Sequence, residues 1–168
     1  MGIRIVSKSV TLTLRDLSEF LYHLDNIYKA EFFLKTERTY RPYFYRQRLK
    51  DYESLYVARI EERSPLHLIV VPSLPYRDII YTLTEIIKIV IELKARQMIE
   101  REYSSRQRRE LLRYEVKREL EIRRLMHDDL VVEETVKLTE SRVDLESVEL
   151  DEKTFEDYFN RPPPKDNL

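Results

Sequence analysis

Between Arg38 and Arg48 the chain intersperses arginines with aromatic residues: Arg38, Tyr40, Arg41, Tyr43, Phe44, Tyr45, Arg46 and Arg48. Guanidinium groups grip phosphate oxygens in a forked geometry and aromatic rings stack on unpaired bases, so this mixture is what single-stranded nucleic acid requires. The candidate contacts on that reading are Arg38, Tyr40, Arg41, Tyr43, Tyr45, Arg46 and Arg48. The competing reading is structural: rings at a domain edge pack on a helix and arginine stems cover them.

Other chemistry has less to build on. Histidine occurs only as His23 near Asp25, His67 within an apolar run, and His127 before Asp128 and Asp129, and no two share the spacing of a metal-binding pair. Ser64 before Pro65 has no base near it in sequence and reads as a turn residue. The absence of cysteine removes disulfides, thiolate catalysis and cysteine-ligated metals. Gly2 is the sole glycine, which excludes glycine-rich phosphate loops. No cofactor, no metal and no enzymatic activity are expected. Without a signal-peptide pattern or a long uncharged apolar stretch, the expected setting is the cytoplasm, with no membrane partner.

The elements that would position these residues follow from periodicity. The alternation Val10-Thr11-Leu12-Thr13-Leu14 predicts a strand within residues 3–14. Asp16 and Glu19 form a capping-box pattern opening a helix whose apolar stripe is Leu17, Phe20, Leu21, Leu24, Ile27 and Tyr28. Residues 55–61 and 66–71 predict a hairpin. Pro72, Ser73 and Pro75 then prepare a second helix with Ile80, Leu83, Ile86, Ile87, Val90 and Ile91 on its buried face.

Neither glycine nor proline interrupts the chain from there until Pro162, so this helix is expected to run on from Ile99 to about Asp129 as a charged rod. Residues 94–124 hold eleven basic and six acidic residues, whereas residues 128–159 hold twelve acidic and three basic ones. The expected class is α+β: a small antiparallel sheet in β-α-β-β-α order, with a long extended helix and an acidic tail. The divisions are a head at 1–99, a charged helical extension at 100–130, and a tail at 131–168, partly disordered or docked on a partner. Leu111, Leu112, Val116, Leu120, Ile122, Leu125 and Met126 on the rod, with Phe155, Tyr158 and Phe159 on the tail, are the candidate protein interface.

The run from Leu55 to Val70, with Ser64-Pro65-Leu66 at its turn and an apolar helix from Ile79, resembles small uncharacterised bacterial proteins in which such a hairpin precedes a long helix. Some belong to multi-gene conflict or defence systems, so the resemblance implies an accessory or assembly role and no catalytic residues. The element order also resembles RNA-binding KH modules and, with a fourth strand, RNA-recognition motifs, but neither the GXXG loop nor the aromatic-rich strand signature is present. Together these point to a non-enzymatic interaction protein that forms homo-oligomers or docks on a larger protein partner through the long helix and acidic tail. The alternative is a nucleic-acid-binding accessory protein using the Arg/Tyr cluster.

Overall fold

The computed structural model describes residues 1–9, 11–36, 44–45, 47–61, 65–74, 76–97 and 104–159. The order is β1 (Gly2–Ser7), α1 (Leu14–Lys35), β2 (Leu55–Glu61), β3 (Leu66–Pro72), α2 (Arg77–Gln97), α3 (Ser105–Ile122), α4 (Asp129–Glu140), β4 (Leu145–Asp151) and α5 (Phe155–Phe159). The class is α+β, as expected. The sequence of elements is not: three helices and a strand occupy the residues where a rod and a tail were expected.

The sheet is antiparallel throughout, in the order β2-β3-β1-β4. Ile3 and Ile5 of β1 pair with Val70 and Leu68 of β3 on one side and with Leu150 and Val148 of β4 on the other. Directly paired residues project to the same face, so Ile3, Ile5, Leu68, Val70 and Val148 form the floor of the helix-covered core, while Leu150 shares that face at its exposed margin. Gly2 occupies a position that only glycine fits, because a Cβ would lie 2.8 Å from the Val70 carbonyl oxygen and 2.8 Å from a Val71 methyl. The strand of the expected 3–14 stretch forms at Gly2–Ser7; Thr11 to Thr13 lie outside it, and Val10 is outside the described residues. Thr13 instead caps α1, its hydroxyl accepting from the Asp16 amide at 3.1 Å, and the helix begins at Leu14.

The long helix is corrected most. It ends at Gln97, and α3 starts afresh from Ser104, whose hydroxyl accepts from the Gln107 amide while Gln107 Oε1 accepts from the Ser104 amide. The new helix doubles back along α2, and Arg123 reaches Glu85 and Glu92 of α2 at 3.0 and 2.9 Å. Folding back buries Leu112, Val116 and Leu120, each worth roughly 1.5–3 kcal/mol relative to exposure on an isolated rod. The turn after α3 places Arg124 at φ 55°, with the Leu125 amide donating to the Leu120 carbonyl. That left-handed step is one glycine usually takes, and here arginine takes it.

Residues 131–159 are likewise part of the fold. Asp128 caps α4 by accepting from the Val131 amide at 3.0 Å, and Val131, Val132, Val136 and Leu138 enter the core. β4 closes the sheet edge beside β1. Phe155 and Phe159 of α5 pack on Tyr56, and Tyr158 donates to Asp151 at 2.5 Å, on the sheet face opposite the larger helices. Among the described residues no helix is long and apolar enough to cross a membrane.

Candidate functional site

β2 lies at the end of the sheet, and the helix layer stops short of it: α2 packs over β4 and β1, leaving α1 to face β2 across a gap. That gap is a cleft of about 570 Å³. Leu21, Tyr22, Asn26 and Lys29 of α1 form one wall, Leu55 and Val57 of β2 the other, and Tyr45, Gln47, Arg48, Leu49 and Asp51 close one end. Among the described residues β2 pairs with β3 alone, so its outer edge carries a row of backbone groups without strand partners.

A bulge gives this edge its apolar face. Pairing shifts between Val57 and Arg59, so Val57 stands opposite Val70 and Ile60 opposite Leu68, both core-facing positions. Three residues apart in a regular strand would point to opposite faces; the extra residue brings Val57 and Ile60 to the same one. They are 41% and 43% exposed, and among the described residues no helix covers that end.

The opposite wall is held by a buried carboxylate. Glu134 of α4 is fully buried, and its Oε2 accepts from His23 Nδ1 at 2.7 Å and from Asn26 Nδ2 at 3.3 Å. Its Oε1 accepts from the Tyr45 hydroxyl at 2.8 Å, with Lys137 Nζ at 3.5 Å. One carboxylate thus fixes α1 and Tyr45 against α4. Burial, reinforced by the hydrogen bond to Glu134, pushes the Tyr45 phenol well above its ordinary range.

Lys29 completes the frame. Its ammonium donates to the Phe44 carbonyl at 2.5 Å and the Gln47 carbonyl at 2.8 Å, and lies 4.2 Å from the centroid of the Phe44 ring. Burial lowers its pKa, with Asp25 and Glu134 opposing the shift. Tyr22 and Tyr45 stand at the rim, 53% and 50% exposed.

The sequence-derived candidates separate on this structure. Tyr45 and Arg48 line the cleft, whereas Arg38, Tyr40, Arg41, Tyr43 and Arg46 lie outside the described residues. Of the candidate protein contacts, Leu112, Val116 and Leu120 are committed to the core; Leu111 and Leu125 are half-buried, and Ile122 and Met126 are exposed. Phe155, Tyr158 and Phe159 are half-buried against the chain's own sheet. No cluster of three potential metal ligands occurs among the described residues.

Sequence reading missed Asn26, Lys29, Val57, Ile60 and Glu134. A signal for Glu134 was available: it lies three residues after Val131 and four before Leu138, an acid on an apolar helical stripe. Comparison of the chain with protein-family models, with curated proteins and with solved structures finds no match.

Proposed function

We propose that this chain is a non-enzymatic interaction protein that docks an extended segment of a protein partner along β2, with the partner's apolar side chains entering the cleft beneath α1. The observation that carries the reading is the exposure of Val57 and Ile60 on the cleft-facing side of a strand that has no second strand partner among the described residues. An added strand would take its affinity from the backbone groups of β2 and its specificity from alternate side chains meeting the cleft. The carboxylate hub at Glu134 supports this by holding the α1 wall in place, so less order must be acquired on binding. The resemblance of the hairpin to proteins of bacterial conflict systems is in keeping with an accessory role.

A displayed library of random peptides, selected on the full chain, tests the proposal. Enriched peptides should alternate apolar and polar residues, and Ile60→Lys should weaken their binding at least tenfold while leaving the circular-dichroism spectrum unchanged. Failure to enrich any peptide, together with light scattering that shows a strict monomer, would sink it.

One observation favours a second reading. The half-exposed rings of Tyr22 and Tyr45 share the cleft with Arg48, and Lys137 Nζ lies 5.8 Å from the Tyr45 ring centroid. Paired rings beside cations suit stacked, unpaired bases. Fluorescence anisotropy with labelled single-stranded oligonucleotides decides this reading: binding that weakens with salt and with Tyr45→Ala/Arg48→Ala supports it, and no anisotropy change at low salt removes it.

A further inference from the structure

We propose that a second cleft, formed where the C-terminal parts of α2 and α4 meet the start of β4, binds a phosphate-type oxyanion, carried on a small molecule or free. This inference is independent of the β2 edge. The cleft has a volume of about 710 Å³ and gathers four cationic residues, Lys8, Lys94, Arg108 and Arg142. A space of that order accommodates a small phosphorylated molecule.

Its floor has unused hydrogen-bonding capacity. Lys94 Nζ donates to the Ser141 carbonyl at 2.5 Å, capping the end of α4, and an ammonium carries two further hydrogens. The hydroxyl of the same Ser141 is buried without a partner. The remaining hydrogens of a half-buried ammonium are costly to leave unpaired, and an oxyanion in the cleft satisfies them. Burial pushes Lys94 down to about 8, with Asp144 the charge that opposes it, the mark of an ammonium short of counter-charge.

The acids of the cleft do not cancel this. Glu140 is held through both oxygens by Arg109 at 3.1 and 2.9 Å, which leaves Asp144 and Glu146 facing Lys8, Lys94 and Arg142. Lys8 and Arg142 are exposed and make no ion pair among the described residues. The loop is also fixed beforehand. The Asp144 carbonyl accepts from the Lys8 amide at 2.7 Å and the Ser7 hydroxyl at 2.9 Å, and the Asp144 amide donates to the Ser9 hydroxyl at 3.0 Å. A site held this rigidly loses little freedom when an anion arrives.

Titration of the full chain with inorganic phosphate and, separately, with ribose 5-phosphate, followed by amide chemical shifts at constant ionic strength, tests the proposal. Saturable binding with a Kd of about 1 mM or tighter is expected, with shifts centred on residues 139–146. Tighter binding of the ester assigns a phosphorylated small molecule; equal binding assigns the free anion. Lys94→Met should weaken binding at least tenfold. Should that variant fail to fold, the exposed pair Lys8→Gln/Arg142→Gln keeps the question decidable, and a drop of about threefold or more is expected from lost counter-charge. No saturation by either ligand at about 10 mM, or affinities indifferent to every substitution, overturns the proposal.

Discussion

Two buried carboxylates lie along the seam between α1 and α4 and have opposite circumstances. Glu134 projects from α4 and accepts from His23, Asn26 and Tyr45, with Lys137 close by. Glu31 projects from α1, has an oxygen without a partner, and has the carboxylate of Asp128, the cap of α4, as the neighbouring charge. The first is a joint: its charge is balanced by donors from two other segments. The second is a defect: desolvation, with Asp128 adding to it, pushes its carboxyl up to about 8. Burial alone therefore says nothing about the worth of a charged group; the donors around it decide the sign.

The largest expected effect is at the joint. Glu134→Ala leaves the donors of His23, Asn26 and Tyr45 facing an empty site, and removing one partner from a buried charged network costs about 3–5 kcal/mol. Glu134→Gln should also be costly, because its amide nitrogen must face donors on one side or the other. Urea denaturation of the variants measures both. A loss below about 1 kcal/mol for Glu134→Ala would mean that the hub is incidental and that packing alone positions α1.

Both carboxylates were partly legible in the sequence. Glu31 follows Leu24 and Ile27 at seven and four residues, and Glu134 falls between Val131 and Leu138, so each sits on an apolar stripe where an acid is out of place. Periodicity cannot say which of the two finds donors, because those donors come from residues as much as 111 positions away. The hairpin and the core face of α2 were readable for the same periodic reason. The break between α2 and α3 was harder, since strong helix formers surround it, yet Ser104 and Gln107 do spell a capping box. The stop at Arg124 carries no glycine to announce it. The exposure of Val57 and Ile60 depends on β2 being the edge strand, which is a matter of topology that no local pattern contains.

At the defect the comparison predicts a gain. Glu31 holds its proton in the folded state up to about pH 8, whereas the unfolded chain releases it near the ordinary glutamate value of 4.5. Between those values the folded state binds more protons, so this group's contribution to stability is present at low pH and is lost as pH rises through about 8. Glu31→Gln is neutral throughout and removes that fall. The variant should match the parent near pH 5 and exceed it by about 1–3 kcal/mol near pH 9, the range for a buried polar group left unpaired. Thermal melts across that interval check it, and parallel curves for the two proteins would show that Glu31 is neither desolvated nor unpaired.

The smallest effect asks whether the joint acts as one unit. Tyr45→Phe keeps the ring at the cleft and removes only the 2.8 Å hydrogen bond to Glu134 Oε1, leaving Lys137 as that oxygen's neighbour. The expected loss is about 0.5–1.5 kcal/mol. His23 binds the other oxygen of the same carboxylate, so a double-mutant cycle of Tyr45→Phe with His23→Ala should return a coupling of at least about 0.5 kcal/mol. Each donor polarises the acceptor for the other and fixes the plane of the carboxylate, which is how the α1 wall and Tyr45 come to be positioned together. A coupling of zero would reduce the joint to two separate hydrogen bonds, and the α1 wall and the Tyr45 end of the cleft would then be free to move independently.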